Sequence, residues 1–257
     1  MINLIYLIGP SCSGKDTIRK YLLNLRNKSD LNLTYLKPYT TREMRDNESE
    51  DDYSFLNSED IKNLDYNKDI ISSNILADDD LDIDQFGMLT KIDDKQLKSY
   101  KGSYYANIER RQYIMYNKNN EPSTVSYGTL VNIFELASNY NYNKIGCGTK
   151  ESYLNIKQAI SSVPVFSKNI DIIPIYVYTD DYERAKYAVR RAKRNKENIR
   201  EVFRRFITDL DDFGSLNKMY TDIGNDLFVV YNKYRDLEEI QNNIILFCKC
   251  KGIELLE

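Results

Sequence analysis

The segment Gly9–Thr17 carries the pattern in this chain that is best suited to chemistry, a glycine-bounded loop ending in Gly14 and Lys15. It follows the apolar run Leu4–Ile8 directly, and the next apolar residues recur at helical spacing: Ile18, Leu22 and Leu25. A strand, a loop and a helix start in this order point backbone N–H groups and the positive helix end at one place, where a polyphosphate can bind. Lys15 adds a mobile charge for the outer phosphates. The pattern therefore predicts a polyphosphate-binding loop.

Within this loop, one position departs from the usual pattern. Asp16 stands where a Ser or Thr normally holds Mg²⁺, and the hydroxyl comes one residue later, at Thr17. A carboxylate beside phosphates is repulsive unless a metal offsets it, so Asp16 either helps to hold Mg²⁺, directly or through water, or points away. Mg²⁺ is the expected cofactor, with Asp16 and Thr17 as its expected ligands. The expected ATP-binding residues of the loop are Ser11, Cys12, Ser13, Gly14, Lys15, Asp16 and Thr17.

Composition excludes several classes of function. The 257 residues include no histidine, which removes Ser-His-Asp chemistry, Cys-His chemistry and every metal site that contains histidine. A net charge of −3 argues against general nucleic-acid binding. Four cysteines without a disulfide or zinc spacing fit a reducing compartment, and the N-terminal apolar run is too short to span a membrane. We therefore expect a cytoplasmic protein that binds neither nucleic acid nor membrane.

The elements that must position the loop alternate along the chain. Apolar runs predict strands, and apolar residues at helical spacing predict helices between them. Because strands alternate with helices, the sequence predicts an α/β domain with a mainly parallel sheet flanked by helices. The predicted strands are Leu4–Ile8, Ile172–Tyr178 and Leu227–Tyr231, and the predicted helices are Asp16–Leu25, Leu130–Ala137, Tyr153–Ile160 and Leu237–Phe247.

Two segments interrupt this alternation. Pro174 lies inside a strand run, so we expect that strand to start at or after Pro174, or to bulge there. Residues 66–101 contain an acidic cluster and few long apolar patterns, which predicts a surface insertion.

Downstream of the loop, the segment Thr40–Arg45 offers a second anion site. Arg42 and Arg45 lie three residues apart and can converge on one anion, and the hydroxyl of Tyr53 can complete the clamp. With the phosphate-binding loop, this order resembles guanylate kinases, whose acceptor site carries TTRxxR, YxF and a later YGT. Here they are Thr40–Arg45, Tyr53–Phe55 and Tyr127–Thr129. The resemblance implies an acceptor site formed by Arg42, Arg45, Tyr53, Tyr127 and Thr129.

The resemblance extends over most of the chain. It implies a P-loop NTPase fold in a single domain, with a core at 1–36 and 143–257, an acceptor-binding region at 37–142 and an arginine-rich lid at about 181–206. Arg190, Arg194 and Arg205 fall at the spacing of the lid arginines and join Lys15 and Arg42 as the implied catalytic residues. Asn232 ends the final strand, where the family places an asparagine near the adenine.

Base recognition departs from the family pattern. The family recognises guanine with a Ser before TTR, a Glu before YGT and an Asp that ends the central strand. Pro38 occupies the Ser position and offers no side-chain donor. Glu109 matches the Glu, and the Asp is lost, with Thr149 or Glu151 as possible substitutes.

The expected function is ATP-dependent phosphoryl transfer to a nucleoside monophosphate, with GMP converted to GDP as the favoured case. ATP and the acceptor are the expected partners. Two alternatives stay open at this point. One is a kinase for a phosphosugar, since Gly14–Asp16 also resembles ribose bisphosphate phosphokinases. The other is a guanylate-kinase-like interaction module without catalysis.

Overall fold

The computed structural model describes residues 2–25, 33–45, 48–57, 82–83, 89–91, 105–117, 121–132, 142–162, 164–232 and 236–253. The strands are β1 Ile2–Ile8, β2 Leu33–Tyr35, β3 Pro38–Thr40, β4 Ser54–Phe55, β5 Asp82–Ile83, β6 Leu89–Lys91, β7 Tyr105–Tyr116, β8 Pro122–Asn132, β9 Tyr142–Gly148, β10 Ile170–Tyr178 and β11 Phe228–Tyr231. The helices are α1 Lys15–Leu25, α2 Lys150–Ser162, α3 Pro164–Asn169, α4 Asp181–Asn195, α5 Ile199–Phe213, α6 Leu216–Ile223 and α7 Leu237–Cys250. Within these ranges, no helix combines the length and apolarity needed to cross a bilayer.

Five strands form a parallel sheet in the order β11-β10-β1-β9-β2. The central strand β1 pairs with β10 on one side and with β9 on the other, so Ile2 lies beside both Ile170 and Tyr142. Long apolar runs give this arrangement, because strands covered on both faces must be apolar on both. The predicted α/β fold with a parallel sheet and flanking helices is confirmed.

Alternate residues of β1 contact two separate apolar cores. Tyr6 and its neighbours on one face pack against α2, α6 and the end of α5. Leu7 and its neighbours on the other face pack against α1 and α7, where Ile18 and Leu22 are almost fully buried. This packing holds the start of α1 directly behind the loop that follows β1.

A second sheet has the strand order β4-β3-β8-β7. Its β7 and β8 form a long antiparallel hairpin, and β3 runs antiparallel to β8. The predicted helix Leu130–Ala137 is wrong at its start, because residues 130–132 belong to β8. Its remaining residues lie outside the described part of the chain. The helical spacing of apolar residues was overridden there by cross-strand pairing with β7.

Strand β10 continues through Pro174, contrary to the expectation that it would start or bulge there. Pro174 lies beside Tyr6 with no shift in register. On the other side of β10, pairing with β11 begins only at Ile175, so that side has no partner strand at Pro174. A proline is tolerated where its missing N–H would have faced an unpaired edge.

The predicted insertion at 66–101 lies mostly outside the described residues. Within it, β5 and β6 form a two-stranded antiparallel pair.

Helices α4 and α5 contact each other and are joined by the turn at residues 196–198. Asp180 caps the start of α4 by accepting a hydrogen bond from the backbone N–H of Tyr182 at 2.9 Å. Lys196 ends α4 in a left-handed conformation, and Asn198 caps α5 by accepting from the N–H of Arg200. Asp180 and Asn198 satisfy N–H donors at the helix starts, and the N–H of Lys196 satisfies the carbonyl of Ala192, so these caps fix the turn that carries Glu197.

Candidate active site

The loop at residues 9–14 connects β1 to α1 and has the backbone shape that its glycines permit. Gly14 has φ +97°, a value that residues with a side chain rarely adopt, and a Cβ there would clash with Nδ2 of Asn232. Cys12 also has a positive φ, of 64°. The close packing of Asn232 against Gly14 explains why this position must be glycine.

Two side chains hold the backbone of the loop by hydrogen bonds. The hydroxyl of Thr179 and Nδ2 of Asn232 both donate to the carbonyl oxygen of Ser13, at 2.8 and 2.7 Å. Asn232 is buried, and its Oδ1 has no hydrogen-bond partner among the described residues. Asn232, which the family resemblance placed near the adenine, therefore lies against the loop and supports its backbone.

Two further residues fix the loop from the side of α4 and α5. The N–H of Ser11 donates to Oδ2 of Asp209 at 2.7 Å, and Nε of Arg184 donates to the carbonyl of Ser11 at 3.1 Å. Arg184 also donates to Asp209 at 3.2 Å, and both side chains are almost completely buried. This triad could not be predicted from sequence patterns, because its members are up to 198 residues apart.

Lys15 lies at the open side of the loop. Its Nζ donates to the carbonyl oxygens of Gly9 and Pro10, at 2.5 and 2.8 Å. No carboxylate is paired with it among the described residues. An ammonium held by two neutral carbonyls can turn to an anionic phosphate without leaving a partner charge unpaired.

Two clefts meet at the loop. The larger one, of about 510 Å³, lies between the loop and α4, and the smaller one, of about 260 Å³, lies between the loop and the second sheet. We call them the lid cleft and the acceptor cleft. Arg190 and Arg194 border the lid cleft, and Arg205 borders the acceptor cleft. The residues that border both are Cys12, Lys15, Asp16, Arg45, Tyr53 and Arg191.

The acceptor cleft is strongly basic although the whole chain is acidic. Its basic lining residues outnumber its acidic ones among the described residues. A locally positive cleft attracts small anions without giving the surface a general affinity for polyanions. The basic residues are Lys15, Arg42, Arg45, Arg111, Arg191, Arg204 and Arg205, and the acidic ones are Asp16, Asp209 and Asp212.

Arg42 borders the acceptor cleft, and a carboxylate of its own loop binds its side chain. Its two terminal nitrogens donate to the two oxygens of Glu48, at 2.6 and 2.7 Å, and its Nε donates to the hydroxyl of Tyr127 at 3.0 Å. Burial alone would lower the pKa of Arg42, but the hydrogen bonds to Glu48 raise it. Arg42 therefore orients Tyr127 and stays charged beside the cleft.

Arg45 lies in a group of like charges. Burial and the nearby Arg205 and Arg42 lower the pKa of Arg45, and Glu48 is 3.4 Å away. Glu197, on the turn between α4 and α5, accepts from Arg191 at 2.8 Å and from Arg205 at 3.1 Å. Its carboxylate also lies 3.9 Å from Nε of Arg45. Glu197 thus joins the acceptor loop to both helices.

A row of aromatic rings extends across the acceptor cleft. The ring of Tyr127 lies 6.2 Å from that of Tyr53 and 6.1 Å from that of Tyr113, measured between centroids. Thr129 also borders the cleft. Glu109 pairs with Thr129 in the hairpin register, but its side chain lies outside the described part of the structure. Its proposed role in base recognition stays a prediction.

The structure explains why no acidic side chain ends β9. A Cβ at Gly148 would clash with the hydroxyl of Tyr6, and a Cβ at Gly146 would lie 2.8 Å from the ring of Tyr6. Tyr6 therefore fills this space, and its hydroxyl lies 2.6 Å from Oγ of Ser152. Thr149 and Glu151, the expected substitutes, instead contact the side chains of Arg111 and Tyr113.

The residues expected to hold Mg²⁺ are accessible at the start of α1. The side chain of Asp16 is 72% exposed, accepts a hydrogen bond from Sγ of Cys147 at 3.3 Å, and borders both clefts. Thr17 is exposed and borders the lid cleft. Mg²⁺ in kinases keeps several waters and needs one or two protein oxygens beside the phosphates. This donor set fits that requirement.

One comparison with known protein families gave a match. The model of the guanylate kinase family matches residues 1–78, which include the phosphate-binding loop, Arg42, Arg45 and Tyr53. Over this segment the chain is similar to guanylate kinases. A solved structure of guanylate kinase from Anaplasma phagocytophilum matches with a TM-score of 0.49 and 13% identity, over 98% of this chain and 85% of that one. A comparison with curated proteins gave no match.

Several residues of this candidate site were not predicted. Arg19 stacks on the ring of Tyr35 at 3.8 Å and donates to Asp52 at 2.9 Å, which ties α1 to the loop before Tyr53. Arg191 lies beside the predicted lid arginines, and its basic surroundings were the available signal. Arg111 and Tyr113 follow Glu109 at intervals of two residues on β7. Residues two apart on a strand share a face, and this spacing was the available signal for Arg111 and Tyr113.

Proposed function

We propose that this protein transfers the γ-phosphoryl group of ATP to the phosphate of a nucleoside monophosphate, with GMP as the favoured acceptor and GDP as the product. The supporting observation is that Lys15 borders both clefts. A triphosphate on the loop and an acceptor phosphate beside Arg45 and Tyr53 would therefore meet at one lysine.

The chemistry requires alignment and charge stabilisation. An acceptor phosphate is already anionic, so no general base has to remove a proton before attack. The loop N–H groups and Lys15 would bind the outer donor phosphates, and Arg45 with Tyr53 would bind the acceptor phosphate. Mg²⁺, bound by Asp16, Thr17 and the donor phosphates, would neutralise part of the phosphate charge.

The basic residues of α4 and α5 would supply positive charge to the group in transfer. Arg190, Arg191 and Arg194 border the lid cleft, and Arg205 borders the acceptor cleft. We propose that residues 181–206 act as a lid whose arginines stabilise the charge on the phosphoryl group in transfer. Preorganised positive groups of this kind are each worth about 10²–10³ in rate.

A phosphosugar kinase is the second candidate. Pro38 offers no donor to a base, and Tyr6 fills the space at the end of β9 where an acidic side chain would otherwise project. An interaction module without catalysis fits less well, because Lys15 and the basic lining of both clefts are present.

A coupled assay of ADP formation across acceptors tests the proposal. Purified protein, ATP and Mg²⁺ are combined with GMP, IMP, AMP, CMP, UMP or a panel of phosphosugars, and Lys15→Met controls for contaminating kinases. Turnover of a nucleoside monophosphate, absent from the variant, supports the proposal. Turnover of a phosphosugar alone supports the second candidate, and ATP binding without any turnover supports the module.

A further inference from the structure

Arg111 is a buried cation in the wall of the acceptor cleft. It lies on β7 directly across from Tyr127 on β8, and its side chain is 11% exposed. Its Nη1 donates to Oγ1 of Thr149 at 2.7 Å and to the hydroxyl of Tyr113 at 2.9 Å. These contacts hold the plane of the guanidinium in one orientation.

Tyr113 connects Arg111 to a carboxylate. Burial raises the pKa of Tyr113, so its phenol stays protonated and donates to Oε2 of Glu151 at 2.7 Å. The same hydroxyl oxygen accepts from Arg111. Arg111 is thus fixed from two sides, by Thr149 after β9 and by Tyr113 on β7, while Glu151 stays 4.0 Å away.

Arg111 borders the same cleft as Arg42 and Arg45. Tyr127 links Arg111 to Arg42, because its hydroxyl accepts from Arg42 and its backbone pairs with Arg111. The rings of Tyr53, Tyr127 and Tyr113 form a row across this cleft. An acceptor whose phosphate lies beside Arg45 would direct its other end along these rings toward Arg111.

The chemistry at that end favours one class of base. A 6-oxopurine presents two adjacent acceptors, O6 and N7, and an arginine can donate to both side by side. Adenine replaces the O6 acceptor with an N6 amino group, which would place donor against donor. Pro38, on β3 of the same sheet, also borders this cleft and has no side-chain donor, so a donor to the base has to come from another residue, such as Arg111.

We infer that Arg111 is a specificity-determining residue that recognises the O6 and N7 edge of the acceptor base. This inference rests on the proposed function and names its substrate class: 6-oxopurine nucleoside monophosphates, with IMP accepted as well as GMP. IMP follows because it carries the same O6 and N7 and lacks only the N2 amine, which Arg111 does not contact in this arrangement.

The test compares GMP, IMP and AMP with wild type, Arg111→Met and Arg111→Lys. Arg110→Met is the matched control, since Arg110 precedes Arg111 on the same strand and does not line the acceptor cleft. We measure kcat/KM for each acceptor, the KM for ATP, acceptor binding by calorimetry and the thermal midpoint of each variant.

We expect wild type to use GMP and IMP within about tenfold of each other and to use AMP far less. Arg111→Met should lower kcat/KM for GMP and IMP by about ten- to hundredfold, as expected for loss of a two-donor contact, with little change for AMP or in the KM for ATP. Arg111→Lys keeps the charge but loses the planar pair of donors, so it should recover only part of the loss. Arg110→Met should keep the wild-type preference.

Equal losses for all three acceptors, or a lower thermal midpoint with an unchanged base preference, would make Arg111 a structural residue. A wild-type preference for GMP over IMP above about a hundredfold would overturn the predicted use of IMP, because the N2 amine would then dominate recognition. The two proposals fail differently. If no nucleotide turns over, the proposed function fails, whereas binding of GMP and IMP that Arg111→Met weakens would still support Arg111 as the base-recognition residue.

Discussion

At the residue scale, Arg42 shows that an arginine predicted to bind an anion can also position a neighbouring side chain. The sequence places Arg42 and Arg45 three residues apart, and both border the acceptor cleft. Only the structure shows that Glu48, 12% exposed, occupies the two terminal nitrogens of Arg42. An acceptor phosphate would therefore compete with Glu48 for these donors or bind mainly to Arg45.

Arg42→Ala should weaken acceptor binding more than ATP binding. Arg42 orients Tyr127 on the acceptor cleft, and among the described residues it forms no hydrogen bond or ion pair with the loop at residues 9–14. The loss for the acceptor should be a few kcal/mol, as for other hydrogen bonds to charged groups. Calorimetric titration of ATP and of acceptor separately measures it. Glu48→Gln is the companion variant: it should tighten or preserve acceptor binding if the phosphate uses Arg42, and weaken it if Arg42 only orients Tyr127.

Asp16 belongs to the same scale, and its two possible roles predict opposite signs. We expect it to help hold Mg²⁺, so Asp16→Ser should raise the free Mg²⁺ needed for half-maximal binding of a fluorescent ATP analogue by roughly tenfold. Asp51→Ser, an exposed carboxylate in a nearby loop, is the control. Tighter nucleotide binding by Asp16→Ser at low Mg²⁺ would show that the carboxylate only repels the phosphates.

At the element scale, burial decided which predictions succeeded. β1, α1 and α7 were predicted closely because their apolar residues face a core, so local pattern and tertiary packing agree. The segment after Leu130 failed because a helical spacing of apolar residues also fits a strand when a long partner strand is available. Strand β10 continues through Pro174 because its neighbour β11 pairs with it only from Ile175 onward. The start of β11 cannot be predicted from the sequence of β10.

Glu197 connects three elements, and its removal should loosen them. Burial opposes ionisation of Glu197, but Arg191, Arg45 and Arg205 outweigh it and lower its pKa. A carboxyl with a lowered pKa in the folded state contributes stability above its unfolded pKa and loses it as the pH falls through the folded value. Wild type should therefore lose this contribution below about pH 4.5, the ordinary range of a glutamate.

Glu197→Gln should lower the free energy of unfolding by an amount on the order of 1–3 kcal/mol at pH 7, because it removes the charge from a buried, hydrogen-bonded carboxylate. Urea denaturation at pH 7 and at pH 4 measures the difference. The difference in the free energy of unfolding between variant and wild type should be smaller at pH 4 than at pH 7. Glu183→Gln removes a carboxylate of α4 that is one-third exposed and pairs only with Lys186 among the described residues, and it should show a much smaller effect at both pH values. A gap that is equal at both pH values would mean that packing and not charge is responsible.

At the scale of the whole molecule, the loop at residues 9–14 is the point where distant parts of the chain meet. Thr179, Asn232 and Asp209 all contact its backbone, and Cys12 packs against Ala188. The motif predicted the loop, because its shape is local. Its supports could not be predicted, because they come from segments more than 160 residues away and show no pattern among themselves.

This arrangement predicts that a ligand on the loop stabilises the entire domain. ATP with Mg²⁺ at about 100 times its dissociation constant should add about 2.7 kcal/mol to the free energy of unfolding, which raises the thermal midpoint of a chain of this size by about 5–10 °C. Differential scanning fluorimetry with and without nucleotide measures the shift. Lys15→Met should fold like wild type, because Nζ contacts only two loop carbonyls in the described structure, and should lose most of the shift. Lys249→Met, an exposed lysine on α7, should keep it. No shift in wild type would mean that the loop does not bind ATP, and would favour an interaction module over a kinase.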